Sequence, residues 1–518
     1  SFGLMNGTTT DPTVGGYIWS YVGAFFRLNY GYKGKYLAEV SGRYDGSSKF
    51  PTNSKWGFFP SASVAWRVSE EPWMKWSEEW LDNFKIRLSA GSMGNGNVDP
   101  YSYTSEMTVA TASDIVLGGG LPSYTTVGST VPVSLTWEKS TTYDVGLDLD
   151  FFNNRLSVSG DYYRRYTTDM YTPSISLPSV YGTTSPKGNN AELRTTGWEL
   201  SLTWRDSFKL GGKPFDYSIK AMVWDNRTVV TKYENATRSL GTLKGYIQNG
   251  GSPSDFYEGM ELGEMWGYTV AGLFRDQADI DSSATHDFTQ ASDKVTRPGQ
   301  VKIADLDHNG NIDPGAFTAD DHGDLSIIGN INPHYMFGVN LAANWNGIGL
   351  SVFLQGVMKR DWYPSPDSGY FWGKYARPFM WVLGIHNYTD DMYSEEKNNW
   401  DTAYWPRMTT YQSNSSYSWT KLLEIPNTRY KQSAAYLRVK NIQVDYTFPK
   451  ALCQKIRLGG LKIYLSGENL FTFTPLHKYA PNFDPEALGY DTDFSSTAGD
   501  GYTYPVLKSV TLGVNITF

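Results

Sequence analysis

The sequence predicts an all-β protein, a transmembrane antiparallel β-barrel, on three observations. Stretches of alternating apolar and polar residues recur along the whole chain, the connections between them alternate between tight and long, and aromatic residues and glycine are abundant. Of 518 residues, 37 are Tyr, 25 Phe, 18 Trp and 51 Gly, which suits many strands, many turns and aromatic girdles at two membrane interfaces. No run of about 18 apolar residues is present, which argues against a helical membrane protein. A polar mean hydropathy is compatible with a barrel, because half of each strand faces water.

The elements follow in order. Phe26, Leu28, Tyr30 and Tyr32 alternate with Arg27, Asn29 and Gly31, and after Lys33-Gly34-Lys35 come Tyr36, Ala38, Val40 and Tyr44. Ala62–Val68 and Phe84–Ala90 repeat the pattern. The clearest case sets Tyr143, Val145, Leu147, Leu149 and Phe151 against Asp144, Gly146, Asp148 and Asp150. Side chains in a strand alternate faces, so each set lies on one side. Leu156–Tyr162, Trp198–Trp204, Phe215–Val223, Tyr335–Trp345, Ile348–Leu354, Leu437–Phe448 and Leu461–Leu470 continue it. Within Leu437–Phe448 the apolar positions change parity near Lys440-Asn441, which predicts a β-bulge. The last stretch has Val510, Leu512, Val514, Ile516 and Phe518 on one face and Thr511, Gly513, Asn515 and Thr517 on the other.

That makes about thirteen strands of about 9–13 residues, near the length that crosses a bilayer at a tilt. Strands of a soluble sandwich run about 5–6 residues. Gly31–Lys35, Phe152–Arg155 and Asn346–Ile348 are tight connections; Asp206–Pro214 and Pro449–Gly460 are moderate. Asn95–Trp137, Thr168–Asn190, Val230–Pro333, Lys359–Ala434 and Thr472–Tyr504 are long. Short turns on one rim and long loops on the other fit periplasmic and extracellular sides.

Net charge is −8, from 53 acidic and 45 basic residues. No basic patch points to nucleic acid. A single cysteine, Cys453, excludes an intramolecular disulfide framework. No His-Glu-x-x-His, Gly-x-Ser-x-Gly or Walker loop is present, so an enzyme is not expected. Asp148 and Asp150 resemble paired acid–base carboxylates, but on a lumenal face such acids are solvated.

Six stretches together carry a family resemblance: Asp45-Gly-Ser-Ser-Lys-Phe50, Trp56-Gly-Phe-Phe-Pro-Ser61, Leu135-Thr-Trp-Glu138, Tyr436-Leu-Arg-Val-Lys-Asn-Ile442, Ser466-Gly-Glu-Asn-Leu-Phe-Thr-Phe473 and Val510–Phe518. In this order they resemble the SusC/RagA family of TonB-dependent outer-membrane transporters. The resemblance implies that residues 1–518 form the carboxy-terminal part of a 22-stranded barrel in the outer membrane of a Gram-negative bacterium. It implies import of oligosaccharides or oligopeptides, energised through TonB-ExbB-ExbD by way of the missing amino-terminal part. It further implies a SusD-like lipoprotein lid and, as further partners, the amino-terminal piece of the same transporter and outer-membrane lipid. The alternatives are a passive porin or structural barrel, and a glycan hydrolase. With Phe518 at the periplasmic rim, counting back thirteen strands places Ser1–Gly23 outside, so the chain is expected to start within an extracellular loop.

Two stretches are candidate sites. Asp305, Asp307, Asn309, Asn311 and Asp313 place side-chain oxygens as in a calcium loop, with Gly310 for the turn. The twelfth position is Ala316, leaving Asp320 or Asp321 to supply the last carboxylate. A Ca2+ or Mg2+ ion here would be structural, stiffening Val230–Pro333; the same composition also makes ordinary turns. The loop Trp362–Trp405 is rich in aromatic rings, of which Tyr370, Trp372, Trp381 and Trp405 are candidate contacts to substrate or lid. The other reading is that these rings pack the loop upon itself.

Overall fold

The computed structural model describes residues 16–104, 107–111, 121–127, 131, 135–173, 187–248, 250–286, 296–364, 371, 391–407, 425–488 and 506–518. Thirteen strands form one antiparallel sheet in which each strand pairs with the next. They are β1 (Tyr21–Tyr32), β2 (Tyr36–Ser47), β3 (Trp56–Arg67), β4 (Leu81–Asn95), β5 (Glu138–Phe151), β6 (Leu156–Pro173), β7 (Lys187–Leu210), β8 (Lys213–Lys232), β9 (His334–Trp345), β10 (Ile348–Lys359), β11 (Tyr436–Thr447), β12 (Gly460–Phe473) and β13 (Ser509–Thr517). β1 pairs only with β2 and β13 only with β12, so among the described residues the sheet has two free edges.

The alternation read from the sequence is the alternation of the sheet. Ile86, Leu147, Gly160, Leu200, Val223 and Phe337 form one row across β4 to β9 on the outer face. The adjacent row, Lys85, Asp148, Ser159 and Ser201, lies on the polar side. Val145, Leu147 and Val514 are exposed on the outer face, and among the described residues no second sheet covers them. Leu149 is half-buried under the connection that follows β3. The bulge is at Lys440: Phe353 and Leu354 of β10 face Asn441 and Val439, and β12 skips the same residue. This single insertion keeps Val439 and Ile442 on the outer face despite their odd spacing.

Two expectations change. Asp206–Pro214 is no moderate loop but a two-residue hairpin turn at Gly211-Gly212, where φ is +57° and +75°, a backbone that glycine adopts without strain. Strand lengths reach 24 residues in β7 and 20 in β8. Hydrogen bonding there continues past the apolar band into water, where no alternation is required.

The tight turns after β1, β5, β7 and β9 all leave the same rim. An aromatic girdle marks it: Tyr32, Tyr36 and Trp66 stack in series, Phe208 sits 5.0 Å from Phe215, and Tyr446 4.9 Å from Phe448. At the opposite rim the long connections 233–333, 360–435 and 474–508 contribute to one hydrophobic core of their own. β1 begins at that long-loop rim, as the strand count requires.

Candidate functional site

The polar face carries several paired charges. Arg87 of β4 donates to Asp148 at 2.8 Å and lies 2.9 Å from Asp161, while Ser159 donates to Asp148 at 2.8 Å. Asn83 donates to Asp150 at 3.1 Å. Asp148 and Asp150 thus each hold a partner of their own, which suits a hydrated wall and not an acid–base pair. A groove of about 560 Å³ runs beside them, with Asn29, Glu39, Ser63, Lys85, Arg87 and Asp144 among its lining residues.

Above the sheet the loops fold into a layer around rings. Trp405 is 0% exposed; it stacks on Tyr430 at 5.6 Å and meets Phe371 edge-on at 5.5 Å. Its ring therefore offers no surface to a ligand in this structure. Tyr370, Trp372 and Trp381 lie outside the described residues. Asn427, fully buried, ties this layer by donating to the Tyr363 hydroxyl at 2.8 Å and the Ile425 carbonyl at 3.0 Å, while accepting from the Arg429 and Tyr430 amides.

Charged and polar side chains help to fasten the loop layer to the barrel. At the top of β8 and β9, buried His334 lies 2.8 Å from Asp225 and 3.6 Å from Glu261. At the top of β11, buried Arg438 lies 2.5 Å from Asp484 and 3.3 Å from Glu486, and Lys440 in the bulge reaches Glu486 at 2.6 Å. Burial pushes the Asp484 carboxyl up, but hydrogen bonds from the Glu486 amide and Arg438 outweigh it and hold the carboxyl below its ordinary value.

The acidic loop is the best-formed candidate site. Carboxylate oxygens of Asp305, Asp307 and Asp324 converge within 4.8 Å of one another. Asp324, 0% exposed, accepts from the Leu306 amide at 2.6 Å and the Asp313 amide at 3.0 Å. Burial, with the nearby charges of Asp307 and Asp305, pushes its carboxyl above the ordinary range. Asp305 Oδ1 is buried without a hydrogen-bond partner. Asn309 and Asn311 follow in the same turn, which Gly310 opens at φ +85°.

Here the structure departs from the sequence reading. Asp320 pairs with Arg238, Asp313 turns its carboxylate to the Gly315 amide at 2.7 Å, and the carboxylate that joins Asp305 and Asp307 is Asp324. The available signal was an acid placed directly before the apolar stretch Leu325-Ser-Ile-Ile328. Three carboxylates at contact distance, one of them wholly buried, form an oxygen set that fits a hard divalent cation.

A family model described as "TonB dependent receptor-like, beta-barrel" matches residues 1–306. The chain is 28% identical over 508 residues to the TonB-dependent receptor P3 of Formosa agariphila, covering 96% of this chain and 45% of that protein. It is 29% identical over 299 residues to the TonB-dependent receptor SusC of Bacteroides thetaiotaomicron, covering 57% of this chain and 27% of SusC. Among solved structures, that of the RagAB peptide transporter superposes with a TM-score of 0.68 at 20% identity, over 96% of this chain and 48% of that one. The chain spans about half the length of the curated relatives that it matches across most of its residues.

Proposed function

This chain belongs to the TonB-dependent receptor-like β-barrel family of the outer membrane, and from that premise we propose that it is the carboxy-terminal part of a transporter importing nutrient oligomers through energy supplied by TonB. The cargo is an oligosaccharide or an oligopeptide, and the lid is a SusD-like lipoprotein seated on the loop layer. The observation that carries the reading is the two-sided sheet under a packed cap. Its outer rows are apolar, its inner rows hold paired charges, and long loops build a separate core over one rim. A passive porin has no need of so large a packed cap.

The same reading assigns Asp305, Asp307 and Asp324 a structural divalent cation, Ca2+ or Mg2+. It would neutralise three convergent carboxylates and fix the segment 296–330 against the rest of the cap. No transport step runs through it.

The test is uptake in the native host. Deleting the gene should abolish growth on one class of oligomers while leaving growth on the corresponding monomers intact. A protonophore should abolish uptake of the labelled oligomer. Uptake that survives loss of the proton gradient would leave the passive porin as the correct reading.

A further inference from the structure

The connection between β3 and β4 does not hang below the barrel; it folds up against the outside of it. Val68, Met74 and Leu81 form a buried cluster, and the partly buried residues packed on it are Phe84, Ile86, Leu149 and Phe151. Those four are outward-facing side chains of β4 and β5: Phe84 lies opposite Leu149, Ile86 opposite Leu147 and Phe151 opposite Leu81. The opposite side of the same connection carries Trp73, Trp76 and Trp80, which are 58%, 69% and 39% exposed. Spacings of three and four place the three indoles together.

Both ends of this patch are continuous with the aromatic girdle. Trp73 meets Trp66 at 6.4 Å, extending the series from Tyr32 and Tyr36, and Trp80 stacks on Phe151 at 6.0 Å, next to Phe152. The connection is also locked. Glu71 accepts from the Tyr36 hydroxyl at 2.6 Å and the Trp66 indole at 3.1 Å, with Lys35 at 3.4 Å. Within it the Glu71 amide donates to the Val68 carbonyl, Met74 to Glu71 and Trp80 to Ser77, and the Phe152 amide of the β5–β6 turn donates to Trp80, all between 2.9 and 3.0 Å. Its exposed side interleaves the three indoles with Lys75, Glu78 and Glu79, a mixture of apolar rings and charges that suits the headgroup boundary of a bilayer.

We propose that residues 68–80 are an interfacial anchor seated in the headgroup layer of the periplasmic leaflet, with Trp73, Trp76 and Trp80 inserted among phospholipids. An element packed on the outer wall of a membrane barrel at its girdle has lipid as its neighbour, and indole rings partition to that depth. The anchor fixes the height of the barrel in the membrane.

The experiment uses the full-length protein in phosphatidylcholine nanodiscs, on a background free of other thiols. An environment-sensitive fluorophore is attached at Trp76→Cys, at Trp73→Cys, and at Asn154→Cys in the β5–β6 turn as the aqueous control. Lipids bearing a nitroxide near the headgroup should quench positions 73 and 76 at least about threefold more than position 154, and aqueous iodide about threefold less. Iodide quenching equal at all three positions overturns the proposal. So does protection from both quenchers, which would mean that another part of the protein or a second copy covers the patch. Labelling at two neighbouring positions guards against one variant failing to fold.

Discussion

Replacing Leu147 by Arg tests the membrane face directly. Leu147 is about four residues above Phe151, where β5 ends at the girdle. At about 3.3 Å per residue and a tilt near 40°, that is ~13 Å along the strand and ~10 Å of depth. An apolar band about 25 Å tall puts Leu147 near its middle, where an Arg costs about 2–4 kcal/mol. The folding constant should fall by about 30- to 1,000-fold. Ser159→Arg is the matched control on the next row, where Asp148 at 2.8 Å and water receive the new charge; its cost should stay within about 1 kcal/mol. Urea unfolding of the full-length protein in phospholipid vesicles, followed by tryptophan fluorescence, measures both. Equal costs at the two positions, or a cost at Leu147 below about 0.5 kcal/mol, would refute the assignment of faces.

Asp324→Asn should weaken calcium binding by about tenfold or more in titration calorimetry, and in chelator it should still cost about 1–3 kcal/mol, because both carboxylate oxygens accept backbone amides and the new NH2 meets one of those donors. Unchanged calcium affinity in Asp324→Asn would make Asp324 a packing residue only. Arg438→Met removes the cationic partner of Asp484 and leaves Glu486 with Lys440 alone, so the segment 475–488 should loosen by about 3–5 kcal/mol in hydrogen exchange. His286 accepts from the Ile303 amide at 2.9 Å and donates to the Ala284 carbonyl at 2.8 Å, with Lys302 nearby, and burial lowers its pKa from 6.5. A depressed histidine contributes stability above its unfolded pKa and loses it as pH falls below, so the amides pairing Val270–Leu273 with Val301–Ile303 should show smaller protection factors, after correction for the intrinsic exchange rate, at about pH 5 than at about pH 7.5.

The sequence by itself determined the sheet. Lipid on one side and water on the other impose a period of two, so all thirteen strands could be read from side chains alone, and the parity change at Lys440 located the bulge. Where that constraint lapses, the reading lapsed with it. Lys187–Arg194 at the top of β7 has no alternation because both of its faces meet water or loops, yet hydrogen bonding to β6 holds it extended. Tertiary structure alone decided the rest. It buried Trp405 in a core assembled from segments far apart in the chain, a contact that carries no local period. It brought Asp324 to Asp305 and Asp307 across a turn whose path no spacing rule specifies. It laid Val68 and Met74 on the outer wall, because the few apolar side chains of this charged connection are buried only by packing on the outward rows of β4 and β5.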